Sequence, residues 1–298
     1  MAEASARPAI DGLVIVDKPS GWTSHDVVGK MRRLAGTRKV GHAGTLDPMA
    51  TGVLVLGIGR ATRLLGYLAA HDKDYNATIR LGQCTVTDDA EGDVTGGASA
   101  DGIAESDVRA AVMSFVGAIE QVPSSVSAVK VGGVRSYTRV RAGEDVELPA
   151  RRVTVSLFEV KDLRRPTPAL LDVDVSVTCS SGTYIRALAR DLGDTLEVGG
   201  HLTALRRTRI GDIAVSEAHT LDELEATLTV LPLADAVRSS FPTRTVTGDD
   251  AVGVRHGRPL AMNGERGPTG IFDAEGAVLA LMEPRSGSLR VLVGFSSG

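Results

Sequence analysis

Aromatic residues make up only 3% of this chain, with a single tryptophan, Trp22, among 298 residues. A core short of rings must be built from aliphatic side chains, and a hydrophobic content of 43% supplies them. Cysteine is scarcer still. Cys84 and Cys179 are the only two, far apart and without metal-ligand spacing. That excludes a disulfide scaffold and reads as two buried thiols in a reducing cytosol. No apolar run reaches the roughly 18 residues that a membrane-spanning helix needs. Residues 1–8 lack the apolar segment of a signal peptide. The expected location is therefore cytoplasmic, with no membrane partner. Nor is there a strong excess of one charge: the formal net charge is −4 and the pI is near 5.9. Taken alone, that balance argues mildly against a polyanionic partner.

The distribution of charge argues the other way. Residues 27–46 hold five cations (Lys30, Arg32, Arg33, Arg38, Lys39) and no acid. Lys130, Arg135, Arg139 and Arg141 form a second cluster, and Arg206, Arg207 and Arg209 a third. Acids gather elsewhere, at Asp88, Asp89, Glu91 and Asp93 and again at Asp222, Glu223 and Glu225. Local field rather than net charge steers a polyanion, so nucleic acid remains a candidate partner.

One stretch organises the chain. Residues 41–52 read Gly-His-Ala-Gly-Thr-Leu-Asp-Pro-Met-Ala-Thr-Gly. Glycine permits backbone angles that other residues resist, while Pro48 fixes its own φ and restricts Asp47 before it. Asp47 is thus expected in a defined loop, anchored by the apolar run that follows at residues 53–58. A carboxylate held rigidly beside a core suits a nucleophile or general base. A turn with a capping Asp would look the same if the cluster stood alone.

Around it the pattern alternates helix and strand. Residues 13–16 form a short buried strand, and Thr23 or Ser24 caps a helix reaching about Leu34. A helix is expected from Gly59 to about Ala70, then a strand over residues 76–82. Residues 83–104, acidic and rich in Gly and Thr, read as an exposed loop or hairpin. Residues 105–116 read as an amphipathic helix with Val108, Val112 and Phe115 on one face. Residues 151–160 and 171–179 alternate at period two, as strands with one buried face each. A helix follows at residues 187–193. Phe241-Pro242 breaks a helix at residues 231–237, and the remaining residues carry short strands separated by turns. The expected division is residues 1–239 and 240–298, the second piece small enough to lean on its neighbour.

The loop at residues 41–52 resembles the catalytic loop of the TruB family of tRNA pseudouridine synthases. The resemblance extends in order along the chain. Asp17-Lys18-Pro19 with Gly21 and Ser24 resembles the family's opening motif, and Lys73-Asp74-Tyr75 with Leu81-Gly82 its tyrosine motif. Gln121, Pro123, Ala128 and Lys130 fall in a further segment. Cys179 to Gly193 reproduces the Cys-Ser-x-Gly-Thr-Tyr-Ile-Arg motif and its helix, and residues 200–211 match the Leu-Arg-Arg segment. More weakly, the C-terminal residues resemble a PUA-type RNA-binding module.

The resemblance implies an α+β pseudouridine synthase fold with a mixed, largely antiparallel central sheet, and a small C-terminal all-β PUA-like module. It implies isomerisation of uridine-55 in the T arm of tRNA by base flipping, with no cofactor and no metal. The implied partner is the tRNA T-arm stem-loop, met by a monomer with no obligate protein partner. Asp47 becomes the catalytic aspartate, Tyr75 the aromatic that stacks on the target base, and Arg186 the partner of the carboxylate. His42 would fill the space the base leaves, while Tyr184 and Leu205 would line its pocket. Lys18, Arg63, Lys130, Arg206 and Arg207 would contact the RNA. An RNA-binding protein without chemistry would give Asp47 no task, and a small-molecule enzyme would give the arginine clusters none.

Overall fold

The computed structural model describes residues 10–124 and 148–295, with only the backbone given for residues 130–131 and 134–135. The chain forms two compact units, one of Met1–Asp47, Val53–Ala69 and Gly211–Gly298, the other of Pro48–Gly52 and Ala70–Ile210.

In the first unit, β1 (Gly12–Lys18) is flanked by β14 (Leu231–Pro232) and by β3 (Thr51–Ile58), and β2 (Val40–His42) pairs antiparallel with β3. The continuous runs Leu13-Val14-Ile15-Val16 and Val53-Leu54-Val55-Leu56 are buried throughout, as expected for strands covered on both faces. Helix α1 (Ser24–Ala35) starts at a capping box: Thr23 Oγ1 accepts from the Asp26 amide and the Asp26 carboxylate accepts from the Thr23 amide. It stops at Gly36, whose φ of 64° makes the left-handed cap. The segment after Gly59 departs from the expected single helix. It runs as a 3-10 turn over Gly59–Leu64 and then as α2 (Leu65–Ala69), because Asp11 holds the Arg60 amide and guanidinium at 2.5 and 2.7 Å.

The C-terminal residues of this unit make a five-stranded sheet in the order β15 (Thr243–Thr245), β17 (Thr269–Phe272), β18 (Val278–Arg285), β19 (Ser288–Gly294) and β16 (Leu260–Ala261). Its own core comprises Val246, Val254, Leu260, Ile271, Leu279, Met282 and Leu289.

In the second unit, β12 (Gly200–Ile210) runs parallel to the start of β3 and antiparallel to β4 (Lys73–Leu81). The sheet continues antiparallel through β11 (Leu170–Cys179), β10 (Arg151–Thr167) and β7 (Gly117–Gln121). Strands β4 and β11 bury one face each, matching their period-two patterns. Helix α4 (Ile185–Thr195) covers β12, and Gly193 allows the approach: a Cβ there would lie 2.1 Å from the Gly200 nitrogen.

Two expectations change here. Helix α3 (Glu105–Met113) ends before Phe115, which instead packs beside Phe158 at 6.3 Å. The acidic stretch 83–104 is not simply exposed. It forms the short hairpin β5 (Cys84–Thr85) and β6 (Val94–Gly96), and Thr85, Asp89 and Ala100 are buried.

Candidate active site

The loop carrying Asp47 is tied at two points ahead of the aspartate. After β2 the Ala43 amide donates to the Val55 carbonyl at 2.9 Å. Further on, the buried Ser24 hydroxyl accepts from the Leu46 amide at 2.9 Å and donates to the Leu46 carbonyl at 3.1 Å. One side chain thus fixes both backbone groups of the residue before Asp47, and the Leu46 side chain is itself buried. Asp47 is half-buried. His42, at the end of β2, meets His25 of α1 edge to face, with ring centres 5.8 Å apart.

Two of the residues expected to contact RNA have hydrogen-bond partners within the first unit. Lys18 has no exposed surface, and its ammonium donates to the carbonyls of Pro19 and Trp22 at 2.9 and 2.6 Å. It holds the Asp-Lys-Pro turn together instead of reaching outward. The Arg63 guanidinium donates to the Gly294 carbonyl at 2.6 Å, on the last residue of β19. The side chain of Lys130 lies outside the described residues.

In the second unit the register sets residues side by side. Gly52 of β3, Arg207 of β12, Tyr75 of β4, Val177 of β11 and Phe158 of β10 form one row across five strands. Tyr75 is 7% exposed. Leu205 is opposite Ala77, two residues along from Tyr75, so both belong to the same sheet face. The resemblance expects both at the target base, and the register sets them on one face.

The neighbouring row turns to the other face, with Thr51, Arg206, Asn76 and Ser176. Arg206 is part-exposed and donates to the Thr51 hydroxyl at 3.3 Å. The three arginines expected to serve phosphates together are therefore divided. Arg207 is 1% exposed, facing opposite to Arg206. Arg209 holds the Asp74 carboxylate through two hydrogen bonds of 2.6 and 2.7 Å. Alternation along the strand separates Arg206 from Arg207, and Arg209 is committed to Asp74. Burial, with Arg207 close by, pushes the Lys73 ammonium down to about 8.

Helix α4 begins within the Cys-Ser-x-Gly-Thr-Tyr-Ile-Arg motif. Gln121 clamps Tyr184 by its backbone, receiving the Tyr184 amide at 2.8 Å and donating to its carbonyl at 3.1 Å. Arg186 is 5% exposed. Its Nη1 donates to the Thr87 carbonyl at 2.9 Å and stands 3.3 Å from the Asp89 carboxylate. Asp89 is itself fixed: it accepts from the Thr87 hydroxyl and from the Glu91 amide. Arg190, one turn on, faces Asp88 at 3.4 Å and Asp191 at 2.7 Å. Burial raises both of those carboxyls above the ordinary range, against the lowering effect of Arg190.

Asp89 is the residue that sequence reasoning missed. No periodic signal marks it: Thr85 and Thr87 meet it only across a turn, both hydroxyls donating to Asp89. Among the described residues no three His, Cys, Asp or Glu side chains gather as a metal would require. Among them, too, no helix is long and apolar enough to cross a membrane.

The family model for the "TruB family pseudouridylate synthase (N terminal domain)" matches residues 32–185. The chain belongs to the TruB family. Two further TruB models match residues 186–236 and 241–296, described as "tRNA pseudouridylate synthase B C-terminal domain" and "tRNA Pseudouridine synthase II, C terminal". A tRNA pseudouridine synthase B from Thermobifida fusca (strain YX) is 61% identical over 289 residues, covering 96% of this chain and 99% of that protein. The one from Streptomyces coelicolor is 57% identical over 303 residues, with 99% and 100% coverage. Among solved structures, a "Cbf5-Nop10-Gar1 Complex" contains a chain that aligns with a TM-score of 0.72 and 27% identity over 95% of this chain and 84% of that one. These likenesses account for the mixed sheet with its C-terminal all-β module.

Proposed function

We propose that this TruB-family protein is a tRNA pseudouridine synthase that isomerises uridine-55 in the T arm of tRNA. The observation that carries the reading is the end-to-end similarity to relatives named tRNA pseudouridine synthase B, 61% identical across 99% of one of them. The rigid seating of Leu46 beside Asp47 supports it, since a catalytic carboxylate needs a fixed position.

The reaction breaks the bond from the sugar to N1 of uracil, rotates the base and joins its C5 to the sugar. The C5 proton must leave before the product is complete. A base inside folded RNA must first be flipped out, at a cost of a few kcal/mol. Tyr75 offers an aromatic face, and stacking of this kind is worth about 1–3 kcal/mol per base. Leu205 extends the same sheet face with apolar surface, Tyr184 completes the pocket, and His42 fills the place the base vacates. Asp47 is the catalytic carboxylate. Arg186 is its counter-ion, and Asp89 positions Arg186. Residues 1–239 carry the chemistry and residues 240–298 add RNA contacts, in a cytoplasmic monomer that needs neither metal nor cofactor.

The test is to incubate the protein with unmodified tRNA and map pseudouridine at each position. The expected outcome is conversion at uridine-55 alone. Conversion at another position, or none, would refute the assignment.

A further inference from the structure

Helix α1 presents a groove that the reaction as described does not use. At one end it is lined by Trp22, His25 and Arg33, and at the other by Arg32, Arg33 and Arg38, with Arg33 common to both. His25, Arg32, Arg33 and Arg38 are exposed and Trp22 is half-buried. The twelve residues of α1 span about 18 Å, the reach of several nucleotides of backbone.

Each part of the groove is built. The Trp22 carbonyl is pinned by Lys18, so the backbone that carries the indole is fixed. The capping box absorbs Asp26, the one acid in the lining, whose carboxylate is committed to Thr23. Lys30 is already paired with Glu225 at 2.5 Å, so it adds no uncommitted charge. Two flat rings at one end and an arginine cluster along the rest form the combination that binds unpaired RNA: bases stack on rings and guanidinium groups meet phosphates. The ring end is also where His25 meets His42.

We infer that the α1 groove is an RNA-binding track, in which Trp22 and His25 hold an unpaired nucleotide of the substrate and Arg33 and Arg38 hold phosphates further along the same strand. This rests on the tRNA synthase reading and adds to it a surface beyond the target-base pocket. It also gives His25 a positioning role toward His42.

Trp22 is the only tryptophan in the chain, so its emission reports on this groove alone. The experiment titrates Asp47→Asn protein, which should bind without turnover, with a T-arm stem-loop. Tryptophan emission and filter retention are followed together, and pseudouridine formation by the parent is measured in parallel. The expected result is a change in emission that saturates with the filter-binding curve. Arg33→Gln and Arg38→Gln should each lower the log–log salt slope of binding by about 0.7–0.9. Arg152→Gln, which removes one exposed charge from β10, should leave the slope alone. If RNA is retained and modified while Trp22 emission and both slopes stay at parent values, the groove is not the track, although the synthase reading stands. If RNA is neither retained nor modified, the synthase reading fails and the inference goes with it.

Discussion

Gly52 passes so close to Arg207 that a Cβ on it would stand 2.1 Å from the Arg207 carbonyl oxygen. Its φ of 97° is also one that side chains resist. Two demands therefore select glycine at the end of the Asp47 loop, where β3 pairs with β12. Gly52→Ala should cost about 1–3 kcal/mol in backbone strain alone. At roughly 2–4 °C per kcal/mol for a chain of this size, the melting temperature should fall by several degrees. The single-turnover rate should fall more than affinity, because the variant displaces the loop and leaves the RNA-facing charges in place. Parent-like melting and turnover would mean that β3 can move away from β12 without consequence.

Asp89 and Arg186 form a buried ion pair, their side chains 4% and 6% exposed. Breaking such a pair from one side strands the other charge, which typically costs about 3–5 kcal/mol. Asp89→Ala should therefore destabilise the protein strongly. Asp89→Asn keeps the size and can still accept from the Glu91 amide, so it should fold while leaving Arg186 less firmly oriented. Single-turnover pseudouridine formation by Asp89→Asn should fall at least tenfold with RNA affinity nearly unchanged. An unimpaired rate would remove Asp89 from the account.

Lys73 and Cys179 are register partners on β4 and β11 with opposite pH signatures. Burial and the nearby Arg207 guanidinium lower the Lys73 ammonium from 10.5 to about 8, and burial raises the Cys179 thiol from 9.0 to about 11. Between pH 8 and 10.5 the unfolded chain holds the lysine proton more tightly than the native one, so stability rises with pH. The rise is at most about 1.4 kcal/mol per unit. Between pH 9 and 11 the native thiol keeps its proton longer, so stability falls. Denaturant midpoints should rise from pH 8 to 9 and level off above it. Lys73→Met should lose the rise and decline above pH 9. Parallel profiles for parent and variant would contradict this.

The loop at residues 41–52 was legible because its information is local. Gly, Pro and Asp at fixed offsets dictate a rigid turn whatever surrounds them. Strands β4, β10 and β11 were legible for the same reason, through their period of two. Strand β12 was harder to read, because its Arg-Arg-Thr-Arg run looks like solvated surface. The meaning of Arg207 and Arg209 depends on Gly52, Tyr75 and Asp74, which lie far away in sequence. Asp89 failed likewise: an acid in a Gly- and Thr-rich stretch reads as exposed until a distant arginine is found against it. Lys18 is placed at the RNA by the motif resemblance, yet its own turn supplies two carbonyls within four residues. Charged groups consumed inside the fold are the systematic blind spot.

The central claim is that Asp47 drives pseudouridine formation in the T arm without a metal. Single-turnover assays on a T-arm stem-loop, with parent and Asp47→Asn protein, each with and without EDTA, test it most directly. The predicted result is full conversion by the parent with or without EDTA, and none detectable by Asp47→Asn, which still binds the RNA. Substantial conversion by Asp47→Asn, or loss of parent activity in EDTA, would contradict it.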